Sequence, residues 1–306
     1  MNNKKLVIII AIAMLAFLVW KLLPLSGGLK LLTDRNKIYI AATISPIADI
    51  AKNVGGDKVL VSTILPPGAS PHTFEPTAQD AIALQKTKLI FAVGHGLDNW
   101  IKPLADNAKQ ATVVTVDRGI NLLRPAQNFG ENEKPLSDAD PHYWLTIPNA
   151  KLIASVIADE LKRADPTHAA DYGNNLAKYL GKLDQTDAYI RTKLINVTNR
   201  NLVTQHNAWN YFTKAYGLKV VGTFEANPGQ EPTAKQLADL QATVKSNGIS
   251  TVYIEPQESD QTIQSFVKDL NLKVATLNAE GSADGMGYIE LMRYNADTIT
   301  NHQITK

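Results

Sequence analysis

Eight short apolar, β-branched runs constrain this chain more than any other feature. Four come early, KIYIAATI (37–44), KVLVSTIL (58–65), KLIFAVG (88–94) and ATVVTV (111–116). Four come late, NLVTQ (201–205), KVVGTF (219–224), STVYIE (250–255) and KVATLN (273–278). Helix-like stretches lie between them. In SPIADIAKNVGG, Ser45 reads as the cap, Pro46 as the first helical residue and Gly55 as the stop. Strands alternating with helices build parallel sheets through right-handed crossovers. Four strands, an interruption and four more predict an α/β protein of two (βα)4-like lobes.

The interruption is itself patterned. PNAKLIASVIADELKRA (148–164) is an amphipathic helix. After Asp165-Pro166, the apolar residues Tyr172, Leu176, Tyr179, Leu180 and Leu183 recur at helical spacing in a stretch that runs to 194. A helix of that length is a stiff strut and not a floppy linker. The expected organisation is a first lobe over 36–164, a linking helix over 165–194 and a second lobe over 195–306.

Residues 1–30 stand apart from this pattern. Lys4 and Lys5 precede fifteen uninterrupted apolar residues, Leu6 to Trp20. That is the shape of an export signal. Continued to Leu25, it approaches the roughly 20 residues that span a bilayer, and no small-x-small cleavage site follows. An uncleaved membrane anchor is expected, with a cleaved signal as the alternative. The two lysines would stay inside and the rest of the chain outside, in a periplasm or at a cell surface. The 306 residues include no cysteine, which excludes disulfides, thiolate metal sites and a lipid-modified cysteine. The 31 basic and 29 acidic residues are scattered, so no nucleic-acid footprint exists.

Any metal must therefore be held by imidazole, carboxylate, amide or carbonyl. Of the six histidines, two lie at strand ends and a third in a loop that can reach the same edge. His72 follows the second strand on the proline-rich loop LPPGASPHTFEPT, whose fixed φ angles hold it at little entropic cost. His142 lies in DADPHYWLTIP, before the first helix of the interruption, and His206 directly follows NLVTQ. Ligand sites in open parallel sheets form beyond carboxyl ends. Three imidazoles from two lobes can thus converge in a cleft between them, and three imidazoles plus one oxygen is an accepted tetrahedral zinc set.

Read in order, PPGASPHTFEPT, DPHYWL, TQHNAWNYFTKAYGL, QEPTAKQLADL and MGYIELMRYNADTI resemble the metal-binding solute-binding proteins of zinc/manganese ABC importers. The resemblance runs from about residue 37 to 300. It implies two (βα) lobes joined by a long rigid helix, a metal ion between the lobes as the transported substrate, and delivery of that ion to an ABC permease by a monomer. It also implies that His72, His142 and His206 are metal ligands. A glutamate replaces the third histidine in some manganese-type members, so His206 favours Zn²⁺ over the alternative, Mn²⁺.

The fourth position departs from the family. An aspartate is usual after the last strand, whereas this chain reads TLNAEGS, with Asn278 in its place. Three neutral imidazoles and a neutral amide leave a divalent ion with its full charge, which is unfavourable in a buried cleft. Glu280 or Asp284 could swing in, or a water or hydroxide could complete the set. Glu255, at the same carboxyl edge, reads as an alternative ligand or as a group that orients one. Asn207 and Thr146 also stand where the family has aspartates, although Thr146 can still cap the helix before Pro148.

His95 could line the cleft, whereas His168 and His302 read as surface residues. Trp144, Trp209, Tyr211, Phe212 and Tyr216 read as core around the cleft. The segment 124–142 holds no extra histidine for metal capture, and Glu131, Glu133, Asp138 and Asp140 attract cations only weakly. The expected function is binding and not catalysis. The alternatives are a zinc-dependent hydrolase with an open fourth position, although no H-E-x-x-H motif supplies a base, and a degenerate adhesion or scaffold protein.

Overall fold

The computed structural model describes residues 37–108, 110–125, 137–225, 229–257, 261–281 and 285–303. All eight anticipated strands form. In the first sheet β1 (Ile38–Ala42), β2 (Val59–Thr63), β3 (Leu89–Ala92) and β4 (Thr112–Thr115) lie in the order β2-β1-β3-β4. In the second, β5 (Asn201–His206), β6 (Lys219–Glu225), β7 (Thr251–Ile254) and β8 (Lys273–Thr276) repeat that order as β6-β5-β7-β8. Every pairing is parallel. Each order reverses once, between β1 and β3 and between β5 and β7, and such switch points open a crevice beyond the carboxyl ends.

The helices of the first lobe are α1 (Ser45–Gly55), α2 (Ala78–Ala83) and α3 (Ile101–Asn107). Then come α4 (Ile147–Ala164) and the long α5 (Ala169–Leu194), followed by α6 (Asn210–Tyr216), α7 (Ala234–Ser246), α8 (Gln261–Asp269) and α9 (Tyr288–Gln303). Helix α1 begins one residue earlier than its sequence suggests. Ile44 takes the cap position in an extended conformation, Ser45 is already helical, and no side chain caps the helix. The chain leaves α1 through Gly56 at φ 59, where a Cβ would lie 2.6 Å from Asn175 Nδ2. Only glycine meets both demands. Thr146 does cap α4, its hydroxyl accepting from the Asn149 N–H.

One apolar core runs through both lobes. Ile47, Ile50 and Val54 of α1, Ile153 and Ile157 of α4, Tyr172, Tyr179, Leu183 and Ile190 of α5, Phe212 of α6 and Met292 and Ile299 of α9 belong to the same buried cluster. Helix α5 packs against α1, α4 and α9, so it is a wall of this core as well as a link. Each buried aliphatic side chain contributes roughly 1.5–3 kcal/mol, and prising the lobes apart would expose many at once. Smaller cores back the outer sheet faces, around Ala41, Ile90 and Leu104 in the first lobe and Val203, Leu240 and Val252 in the second. Among the described residues no helix is long and apolar enough to cross a membrane, and the run Leu6–Trp20 lies outside those residues.

Candidate metal centre

His72 is delivered by a loop with little freedom. After β2, Ile64 N–H and Leu65 N–H still pair with the carbonyls of Ala42 and Thr43. Two tight turns follow, Ala69 N–H to Pro66 O and Thr73 N–H to Ser70 O. Trp100 buttresses the loop, its Nε1–H donating to Pro71 O at 3.0 Å while Phe74 packs edge-on against its ring.

His142 is held by its own neighbour. Asp140 Oδ1 accepts from the backbone N–H of His142 at 3.0 Å and lies 2.9 Å from its Nδ1. Asp140 Oδ2 accepts from Asn210 Nδ2, and the Asp140 carbonyl accepts from the Tyr211 hydroxyl. Residues of α6, from the second lobe, thereby fix a loop of the first.

His206 ends β5, next to the switch point with β7, and Glu255 immediately follows β7. That adjacency puts Glu255 Oε1 2.7 Å from His206 Nδ1. Trp209 Nε1–H and Gln257 Nε2–H donate to the same carboxylate, and Gln205 Oε1 accepts from the Glu255 N–H. Both Asp140 and Glu255 are only 2% exposed.

These arrangements bring three ring nitrogens together. His142 Nε2 lies 3.2 Å from His72 Nε2 and 3.4 Å from His206 Nε2. Two nitrogens bound to one tetrahedral zinc at about 2.0–2.1 Å would be about 3.3–3.4 Å apart. The carboxylates also set the tautomers. With Nδ1–H turned to Asp140, His142 keeps a lone pair on Nε2, and the Glu255 carboxylate 2.7 Å from His206 Nδ1 favours the same tautomer there. Two acceptors that face each other with no proton between them repel, and a cation placed between them removes that repulsion. His72, His142 and His206 form the cluster of possible metal ligands among the described residues.

Among the other residues singled out from sequence, Glu255 joins the site through the back of His206 and outside the cluster of converging atoms. Asn278 is buried just beyond β8, and its Oδ1 accepts from the N–H groups of Glu280 and Gly281. Its main chain is bonded both ways to the Asn295 side chain of α9. The amide oxygen thus closes a turn. Glu280 is buried, and its carboxylate is not in the histidine cluster. Asp284 lies outside the described residues.

His95 is also outside the cluster. It has a left-handed φ of 52 and pairs with Asp117 Oδ2 at 2.9 Å. His168 pairs with Asp165 and His302 with the Thr298 carbonyl. The aromatic residues Trp144, Trp209, Tyr211, Phe212 and Tyr216 are buried around the cleft. The residue that sequence reading undervalued is Asp140. Its signal was an acid two residues before a candidate ligand, close enough for one carboxylate to meet both the backbone and the ring.

Comparisons with known proteins bear on the family and the fold. The model of the family described as zinc-uptake complex component A periplasmic, ZnuA, matches residues 40–302. The manganese ABC transporter substrate-binding lipoprotein PsaA of Streptococcus mitis is 31% identical over 292 residues, covering 91% of this chain and 93% of that protein. The high-affinity zinc uptake system protein ZnuA of Bacillus subtilis is 27% identical over 284 residues, covering 89% of each. A crystal structure of ZnuA superposes with a TM-score of 0.79 at 28% identity, over 87% of this chain and 99% of that one. With its two parallel sheets, its long α5 and a family match over nearly all of the described residues, this chain belongs to the ZnuA family of zinc-uptake complex component A proteins.

Proposed function

We propose that this protein is the extracytoplasmic substrate-binding component of a metal ABC importer, capturing one divalent ion on His72, His142 and His206 and passing it to a membrane permease. The observation that carries this reading is the convergence of three ring nitrogens, His142 Nε2 lying 3.2 Å from His72 Nε2 and 3.4 Å from His206 Nε2. The relatives divide by name between manganese and zinc. Three imidazoles in a tetrahedral spacing favour zinc, since manganese prefers more oxygen donors and a larger coordination number. Asp140 and Glu255 meet the charge problem that Asn278 poses. They set two negative charges one ring away from a divalent ion, so the assembly is neutral without a carboxylate on the metal.

In this reading residues 36–164 and 195–306 are the two metal-binding lobes and 165–194 the helix that joins them in a monomer. PsaA is a lipoprotein by name, whereas this chain has no cysteine to carry a lipid. Residues 1–30 would provide the membrane attachment instead, as an uncleaved anchor. Coordination is the only chemistry required. The carboxylates of Asp140 and Glu255 lie at the far nitrogens of its histidines, an arrangement that suits holding an ion and not abstracting a proton from water.

Chelator-competition titration tests the proposal. One zinc ion per chain, bound at least about a hundredfold (roughly 2.7 kcal/mol) more tightly than manganese, is expected. Manganese binding more tightly than zinc, or zinc-dependent ester or peptide hydrolysis above that of the free ion, would contradict it.

A further inference from the structure

A small group of residues away from the histidines ties the two lobes together. Asp49 of α1 accepts from the Tyr288 N–H in the first turn of α9, with Oδ2 2.9 Å from the nitrogen. The Tyr288 hydroxyl donates to the Trp144 carbonyl at 2.6 Å and lies 3.2 Å from the Thr146 carbonyl. Trp144 Nε1–H in turn donates to the Ala279 carbonyl at 2.9 Å. The approach is close, since a Cβ on Gly287 would lie 3.3 Å from Asp49 Oδ1. Tyr288 and Trp144 are buried, and the Trp144 ring packs against the His142 ring with centroids 5.4 Å apart. A continuous chain of contacts therefore runs from Asp49 to a candidate ligand.

The placement of Asp49 bears on its role. Its neighbours Ala48 and Ile50 are buried, and burial pushes the Asp49 carboxyl up while the Tyr288 N–H pulls it down. Asn53 Nδ2–H donates to the same oxygen at 3.1 Å. The carboxylate faces the positive end of α9, where an anion is favoured. A charge set there serves the contact between lobes more than it serves α1.

We propose that Asp49 is a positioning residue for the metal centre: through Tyr288 and Trp144 it holds His142 toward His206, and so sets how fast the ion leaves. This rests on the metal-binding reading above and deepens it. His142 comes from the first lobe and His206 from the second, so the ion is freed as their rings part. The shared core opposes wide separation of the lobes, which leaves small displacements at the site as the route. Loosening the bonds at Tyr288 permits such a displacement without altering any group that touches the ion or either carboxylate behind the histidines. The bond from Asn210 to Asp140 ties the lobes separately and stays in place.

Stopped-flow transfer of zinc from the loaded full chain to excess chelator tests this. Asp49→Ala should raise the release rate by about tenfold or more, the order of one lost hydrogen bond to a charged group. Asp49→Asn keeps an acceptor and should recover part of that change. Tyr288→Phe keeps the ring, loses the hydroxyl and should also speed release. Because both changes break one chain of contacts, the double variant should fall short of the product of the single effects. Ile299→Val, in the same core but outside this chain of contacts, controls for general loss of stability and should leave the rate unchanged. Unchanged rates in Asp49→Ala and Tyr288→Phe, or a rise that Ile299→Val matches, would overturn the inference and leave the metal-binding reading intact. So would a double variant equal to the product of the two. Should Asp49→Ala fail to fold, Asp49→Asn and Tyr288→Phe decide the matter on the same readout. Failure of the unaltered protein to bind zinc would instead sink the metal-binding reading and this inference with it.

Discussion

Glu255 Oε1 lies 2.7 Å from His206 Nδ1, and the two residues stand at the carboxyl ends of the neighbouring strands β7 and β5. The pair combines topology with chemistry, because the switch point that opens the crevice also sets a carboxylate behind the imidazole that faces it. Asp140 does the same for His142 from a loop. Each carboxylate fixes a tautomer, raises the basicity of the ligating nitrogen and supplies charge.

Removing that charge while keeping an acceptor separates these roles. Glu255→Gln and Asp140→Asn should each weaken zinc binding by about 10–100-fold, measured by chelator competition. Full affinity in both variants would mean that the carboxylates only shape the fold.

The ligands themselves should matter at least as much. His72→Ala, His142→Ala and His206→Ala are each expected to cost at least about tenfold in zinc affinity, roughly 1.4 kcal/mol. Titration calorimetry showing unchanged affinity in any two of the three would move the site elsewhere.

The stability of the metal-free protein should depend on pH through His72. Burial, with His142 and His206 close by, pushes its imidazole well below the usual histidine range. The unfolded chain takes up a proton near pH 6.5, before the folded one does. The stability present above about pH 6.5 should therefore be lost as pH falls below it toward the lowered folded value. Thermal melts of the metal-free protein from pH 7.5 to 5 should show a falling Tm, with His72→Gln flattening the part due to this residue. A Tm that rises on acidification would contradict the direction.

Asn278 is expected to behave as a turn residue. Asn278→Ala strands the buried N–H of Glu280 along with that of Gly281, so it should destabilise the metal-free protein by about 1–3 kcal/mol. Zinc affinity should change by less than about tenfold. A large loss of affinity with little change in metal-free stability would show instead that the amide oxygen is a ligand.

Much of this was legible in the sequence because it rests on local pattern. β-branched runs bounded by turns gave all eight strands, and helical spacing through Tyr172, Tyr179 and Leu183 gave the long helix. The three histidines were legible because each follows a strand or opens a helix at one edge. What pattern could not give were contacts between residues distant in the chain. Glu255 reaches His206 across 49 positions only through the β5–β7 pairing, and Asn210 reaches Asp140 only once the lobes have docked. Asn278 shows the limit from the other side. A motif marks its position, whereas the bonds of its main chain to Asn295, brought beside it by α9, are visible only in the folded protein. The start of α1 was misjudged by one residue because Ser45 is a strong capping type. There the chain direction out of β1 and Pro46 in the first turn determined where the helix begins.

X-ray absorption at the zinc edge, on the protein loaded with one equivalent of Zn²⁺, tests the central claim most directly. Three imidazoles on one ion predict a nitrogen-dominated shell at about 2.0–2.1 Å with the multiple-scattering pattern of three rings. Each of the three histidine→alanine variants should lose one ring from that pattern. A shell dominated by carboxylate oxygen, or a ring count unchanged in those variants, would contradict it.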